Sequence, residues 1–583
     1  MDSGADDAEL YRAGRLAAAS AHYNGPMTSI CNIAAALPAM AERQPDTIAI
    51  RCPNGVGEDG RVRYDIELSY RELETRSNAI AAALARAGIV RGTRTALMVR
   101  PSPELFLLMF ALFKAGAVPV LIDPGIDKRA LRQCLDEAAP EAFIGIPLAH
   151  AARVLLGWAR KSCTIKVTVG RRWFWGGHTL DGLLAQSRGD GFTMAATAPD
   201  DMAAILFTSG STGVPKGVVY RHRHFVAQVE MLGAALGIEA GGVDLPTFPP
   251  FALFDPALGL TSVVPDMDPT RPAKADPRKL IDAIQRFGVT QMFGSPALLD
   301  TLSRFGAAHS VKLPTLRRVM SAGAPVPPAV IERMAAMLPD DAAIFTPYGA
   351  TECLPVAIIE GRELRDTRAA TEAGAGTCIG KPVPPNEVRL IAITDEPIPE
   401  WREELQVPPG QVGEIVVAGP TVTDEYFARP QANAVAKIRE TLADGSSRTL
   451  HRMGDLGWRD EAGRLWFCGR KSQRVEAADG PLYTEQVEPV FNTHPQVRRS
   501  ALVGVGEKGA QLPVLCVELE PGVAAGERER IEAELLNLGQ RHAHTARIQH
   551  LLFHPGFPVD IRHNAKIGRE ALARWATEQR AAR

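Results

Sequence analysis

The sequence predicts an α/β protein with a large domain of layered β-sheets and helices, followed by a smaller, mobile α+β domain. At 583 residues the chain exceeds what one hydrophobic core usually serves. From about Leu68 to Leu299, short runs of branched apolar residues alternate with amphipathic helical stretches, the pattern of α/β layers. Beyond the polar, strongly charged segment Arg470 to Glu488, apolar patterning resumes on a smaller scale.

Taken in order, Met1 to Pro26 is polar and acidic and has no basic region followed by an apolar core, so a flexible extension is expected and not a signal peptide. Met27 is an alternative start. The large domain is placed at 27–469 and the small one at 470–583. Candidate strands are Arg94 to Val99, Val118 to Ile122 and Ala203 to Phe207 in the first, and Ser500 to Val505 and Pro513 to Leu519 in the second. Leu105 to Ile122, apolar apart from Lys114, has about the length of a bilayer crossing. A helix over Pro103 to Phe113, a turn at Lys114 to Ala117 and a buried strand ended by Asp123-Pro124 account for it better.

Lys plus Arg number 65 against 67 Asp plus Glu, a net charge of -2, so no global field attracts nucleic acid or an anionic membrane. Small-molecule chemistry is favoured. The eight cysteines form no C-x-x-C pair and read as reduced thiols of a cytoplasmic protein. His222 and His224 lack the partners of a zinc site.

The apolar run Ala203 to Phe207 empties into Thr208-Ser209-Gly210-Ser211-Thr212-Gly213-Val214-Pro215-Lys216-Gly217. Hydroxyls, free backbone N–H groups, close-approaching glycines and one cation suit a polyphosphate. No Gly-Lys-Ser/Thr sequence is present, so this is not the P-loop of nucleoside triphosphatases.

This loop resembles the phosphate loop of the adenylate-forming superfamily of acyl-CoA synthetases, peptide-synthetase adenylation domains and luciferases, and further matches follow in order over residues 40 to 575. Ser321-Ala322-Gly323-Ala324-Pro325 resembles the turn beside adenine. Tyr348-Gly349-Ala350-Thr351-Glu352 resembles the segment that stacks adenine, touches the α-phosphate and holds magnesium. The resemblance implies Asp455 and Arg470 as ribose contacts, Glu352 and Thr208 as magnesium ligands, and Lys566 as the mobile catalytic lysine. It likewise implies ATP and Mg²⁺ as cofactors, with Ser209, Gly210, Ser211, Thr212 and Gly213 around the phosphates. Catalysis would fall to Lys566, Glu352, Lys216 and Thr212, because a carboxylate attacking the α-phosphate brings negative charges together and cations must converge there.

Two departures narrow the reaction. Where relatives carry a histidine or other aromatic that guards the pocket, this chain has Phe254, and Phe248, Phe251 and Leu253 would complete an apolar wall for an alkyl chain or simply pack the core. His222 is expected beside that pocket, bracing the phosphate loop by a hydrogen bond. After Ser472, the expected hinge, Glu476 stands where the superfamily keeps a lysine, a poor neighbour for the phosphates of coenzyme A. With Tyr348 to Pro355 and Arg221-His222-Arg223-His224, these features most resemble the β-lactone synthetase family of bacterial long-chain olefin biosynthesis. That resemblance implies a 2-alkyl-3-hydroxyalkanoic acid, activated as acyl-AMP and closed by its own hydroxyl, and partnership with thiolase-like, reductase and α/β-hydrolase enzymes. A long-chain fatty acyl-CoA synthetase and a non-catalytic acyl-nucleotide scaffold remain the alternatives.

Overall fold

A computed structural model describes residues 30–123, 126–187, 191–208, 215–558 and 567–581. The expected N-terminal extension therefore lies outside the described residues. Three sheets and a short hairpin, Val475–Ala477 with Gly480–Leu482, organise the rest.

The first sheet has seven strands in the spatial order His178–Thr179, Ile165–Thr168, Ala142–Gly145, Arg94–Met98, Val118–Leu121, Met202–Phe207 and Gly217–Arg221. All neighbours are parallel except the last pair, an antiparallel hairpin that closes around the phosphate-loop sequence. Strands covered on both faces read as continuous apolar runs, which is why these segments were visible in sequence. The suspected membrane segment is the helix Pro103–Lys114 followed by strand Val118–Leu121, and no described helix is long and apolar enough to cross a membrane.

Lys114 belongs to the helix and not to the turn. Its side chain is fully buried, and its ammonium donates to Glu74 Oε2 at 2.6 Å, Asn78 Oδ1 at 2.7 Å and Ser77 Oγ at 2.8 Å. These acceptors sit on the helix Tyr70–Arg86, whose start is fixed by a capping box between Ser69 and Glu72. The one charge in the apolar stretch thus locks two packed helices together.

The second, fourteen-stranded sheet runs parallel from Ile48–Cys52 through Thr261–Val263, Val243–Pro246, Gln291–Phe293 and Arg318–Met320 to Ala343–Ala350. It then continues antiparallel through Cys353–Glu360, Thr377–Pro382, Leu465–Arg470, Ser447–Arg459 and Gly413–Ala418. The change of direction occurs at the turn holding Thr351 and Glu352. The third sheet, Val497–Val505, Leu512–Leu519 and His550–Phe553, packs with helices Thr484–Phe491, Arg528–Gly539 and Arg569–Ala581.

Candidate active site

The site grows where the hairpin of the first sheet meets the turn of the second. Strand Met202–Phe207 ends at Thr208, whose N–H donates to the Lys216 carbonyl at 3.0 Å, closing the stem of the loop. Ser209, Gly210, Ser211, Thr212 and Gly213 lie outside the described residues, as does Lys566.

The segment after strand Gly413–Ala418 sews the two sheets together. Its Tyr426 bridges to Val218, the Val219 N–H donates to the Glu425 carbonyl at 3.1 Å and the Phe427 N–H to the Gly217 carbonyl at 2.7 Å. Arg221 and Arg223 both pair with Asp424, at 2.8 and 2.6 Å. This seam aims Tyr426 at the turn: its hydroxyl donates to Glu352 Oε1 at 2.7 Å, and the Lys216 ammonium lies 4.9 Å from its ring centre. Burial, then the Glu352 charge, push the Tyr426 phenol well above its ordinary range, so it stays a donor.

The turn itself is held by its backbone. Thr423 donates to the Glu352 carbonyl through both N–H and Oγ1 at 2.9 Å, and Tyr220 donates to the Thr351 carbonyl at 2.6 Å. Gly349 has no room for a side chain, since a Cβ would stand 2.8 Å from the Cys353 carbonyl. Lys437, from the neighbouring strand Lys437–Thr441, bonds Thr423 and lies 5.6 Å from the Tyr426 ring centre. Desolvation lowers its pKa to about 8 against the opposing pull of Glu352.

A second cluster adjoins the first. Asp455 and Arg470 are cross-strand partners, with Arg470 Nη1 3.0 Å from Asp455 Oδ1, and Tyr348 donates to Asp455 Oδ2 at 2.6 Å. Burial raises the Asp455 pKa while Arg470 opposes the rise; Asp455 in turn raises that of Arg470. Asp455 Oδ1 is buried and, among the described residues, is met by the Arg470 ion pair without a well-directed hydrogen bond. Ala322, Gly323 and Ala324 follow strand Arg318–Met320, and Gly323 takes the left-handed φ of 96° that the turn requires.

The aromatic wall is a graded series. Phe248 is 47% exposed, Phe251 is half-buried against Phe293 at 4.7 Å, and Phe254 is 9% exposed with Phe225 6.4 Å beyond it. Phe225 packs on Tyr220 at 4.7 Å, so the series leads toward the Thr351 turn.

Two expectations are corrected. His222 does not brace the described stem of the phosphate loop: register pairs Phe207 with Gly217 but Met202 with Arg221, so His222 lies past the opposite end of the hairpin, about 16 Å along the chain from Gly217. There its N–H donates to the Asp201 carbonyl at 3.1 Å, its buried ring has no hydrogen-bond partner among the described residues, and burial lowers its pKa to about 4. Nor is Glu476 a bare negative charge. Arg474 reaches Glu476 Oε1 at 2.9 Å and Asp395 Oδ2 at 3.0 Å, so electrostatics at this position argue less strongly against an anionic thiol than the sequence implied.

The exposed Ser472 lies in the 3-10 turn Lys471–Gln473, directly after Lys471, which reaches the buried Glu414 at 3.1 Å. The chain is therefore anchored on both sides of this serine, by Lys471 before it and by the Arg474–Asp395 pair after it.

Residues 37–427 match the AMP-binding enzyme family. The chain is 67% identical to the olefin beta-lactone synthetase of Xanthomonas campestris pv. campestris, over 96% of this chain and 99% of that one. It is 66% identical to the olefin beta-lactone synthetase of Stenotrophomonas maltophilia, over 95% and 99%. The chain belongs to the AMP-binding enzyme family.

The superfamily inferred from the loop and turn motifs is thereby borne out. Among solved structures, o-succinylbenzoate coenzyme A synthetase from Bacillus subtilis, in complex with ATP and magnesium ion, aligns with a TM-score of 0.68 over 92% of this chain and 98% of that one. At 21% identity this similarity speaks to the fold.

Proposed function

We propose that the protein converts a long-chain 2-alkyl-3-hydroxyalkanoic acid into a β-lactone, using ATP to activate the carboxylate as acyl-AMP and releasing pyrophosphate and AMP. Two-thirds identity to olefin beta-lactone synthetases over nearly the whole chain is the observation that carries this reading. The AMP-binding family supplies the first half-reaction. For the second, the nucleophile already belongs to the activated molecule, so a pocket that folds the chain and excludes water replaces a second substrate.

Within that scheme Thr208, Lys216 and the loop residues Ser209 to Gly213 would surround the phosphates. Tyr348, Gly349, Ala322, Gly323 and Ala324 would hold adenine, and Asp455 and Arg470 the ribose. Glu352 fits a magnesium site: its turn is fixed through Thr423 and Tyr220, and its carboxylate is oriented by Tyr426. No group of three metal-ligating side chains occurs among the described residues, and magnesium shared with phosphates needs only one or two carboxylates. A bound magnesium would neutralise phosphate charge there. Thr208 would be its second protein ligand and Thr212 a further phosphate contact.

Phe251 and Phe254 would line the alkyl path, with Ser472 as the hinge between a large domain at 27–469 and a small one at 470–583. Lys566 would deliver its charge during adenylation and withdraw afterwards. The reaction fits a cytoplasmic enzyme working beside thiolase-like, reductase and α/β-hydrolase partners that make and consume such lipids.

The test is incubation with ATP, Mg²⁺ and a 2-alkyl-3-hydroxy acid in the absence of coenzyme A. Lactone and AMP are expected; a product that forms only as a thioester when coenzyme A is added would replace this reading with an acyl-CoA synthetase. Release of no pyrophosphate from any acid would leave the non-catalytic scaffold.

A further inference from the structure

We propose that the outer edge of the seven-stranded sheet is a docking surface for an anionic lipid bilayer. Among the large apolar side chains that stand exposed in the described residues, six fall between residues 148 and 174: Leu148, Val154, Leu155, Leu156, Trp173 and Phe174. Leu155 and Phe174, at 81% and 72% exposure, are the most exposed of all. Scattered exposed apolar residues are ordinary, but a contiguous cluster marks an interaction site.

The loop and the helix that carry them are held together. The loop after strand Ile165–Thr168 is pinned by Trp175, whose Nε1–H donates to Thr168 Oγ1 at 3.0 Å and whose ring stacks on His150 at 5.3 Å. His150 lies on the helix Pro147–Leu156, and Val154 is the next residue along its stripe. Trp173 and Phe174 pack against Trp175 at 5.3 and 5.4 Å, which ties the loop's exposed rings to the helix through His150, while Leu148 and Leu155 stand roughly 140–160° round the helix from His150. Both elements are anchored in the fold, and the exposed rings are presented by a rigid support.

Charge selects the occupant. From Ala142 to Leu180 the sequence has no aspartate or glutamate but six cations, Arg153, Arg160, Lys161, Lys166, Arg171 and Arg172, in a chain whose net charge is -2. Arg160, Lys161, Arg171 and Arg172 are exposed, the last two directly before Trp173 and Phe174 in the chain. A single sign of charge around tryptophan, phenylalanine and leucine complements an anionic headgroup layer, where cations stay at the phosphates and the rings enter the interface. The near-neutral whole-chain charge conceals this local asymmetry. The inference does not depend on the substrate proposed above.

The test is co-sedimentation of the full-length protein with vesicles of phosphatidylcholine alone and with about one third phosphatidylglycerol. The wild type is expected to bind the anionic vesicles and to be released by salt. Trp173→Ser/Phe174→Ser, and separately Arg171→Gln/Arg172→Gln, should each weaken binding about tenfold or more while leaving ATP–pyrophosphate exchange unchanged. Equal binding by wild type and both variants, or no binding by an active wild type, would overturn the proposal. So would self-association in sedimentation velocity that the Trp173/Phe174 variant abolishes without any vesicle binding, which would make the patch a protein interface.

Discussion

The Tyr426 hydroxyl donates to Glu352 Oε1 at 2.7 Å across 74 residues of sequence, while Lys216 lies over the same ring at 4.9 Å. One aromatic side chain thus sets the distance between the carboxylate assigned to magnesium and the cation assigned to phosphate. Hydrogen bonds to charged groups contribute about 1.5–3 kcal/mol, so Tyr426→Phe is expected to lower kcat/KM for pyrophosphate release by roughly ten- to a hundredfold. Raising Mg²⁺ should recover part of that loss. Initial rates across a magnesium titration check this, and an unchanged rate would remove Tyr426 from the site.

Asp455 accepts from Tyr348 and faces Arg470 with one buried oxygen poorly satisfied. Asp455→Asn keeps the shape but weakens both contacts and the expected ribose bond. The KM for ATP should rise by about tenfold or more, with the KM for the acid nearly constant. Steady-state kinetics with each substrate varied separates the two.

Helix Thr484–Phe491 meets strand Thr377–Pro382 through Glu485, which accepts from Thr377 Oγ1 at 2.9 Å. Burial and then the neighbouring Glu488 raise the Glu485 pKa to about 7. A carboxyl whose folded pKa lies above its unfolded value binds protons more readily when folded. Its contribution is therefore fully present below the unfolded pKa, near 4.5, and is lost as pH rises through about 7. Glu485→Gln should flatten the fall in thermal stability between those limits. A wild-type melting temperature that does not decline more than the variant's across this window would contradict the assignment.

Lys114 is buried with its four bonds to Glu74, Ser77 and Asn78. Lys114→Ala would leave Glu74 without its cation and is expected to cost about 3–5 kcal/mol, read in chemical denaturation as a lower midpoint with a similar slope.

The parts legible in sequence are those in which contiguous residues do the work. Thr208, Lys216, Tyr348, Glu352, Asp455 and Arg470 belong to short motifs whose local backbone fixes their direction. Tyr426, Thr423 and Lys437 carry no such spacing; they reach the Glu352 turn because a seam joins two sheets, and the one available signal was a tyrosine shortly after the buried strand Gly413–Ala418. His222 is near the loop in sequence but not in space, because an antiparallel strand carries it away. Lys114 reads as a turn residue in sequence because its acceptors lie on a helix far earlier in the chain. Glu476 looks like a bare charge in sequence, although Arg474, two residues before it, pairs with it.

Lactone formation through acyl-AMP requires that the carboxylate, and not the hydroxyl, be activated. A 3-hydroxy acid carrying ¹⁸O in both carboxylate oxygens tests it in a single turnover with ATP. Attack by the carboxylate on the α-phosphate, followed by closure of the hydroxyl onto the carbonyl, leaves one label in AMP and one in the lactone carbonyl. Unlabelled AMP with both labels retained in the lactone would show that the hydroxyl had been activated instead, and would rule out the acyl-AMP route.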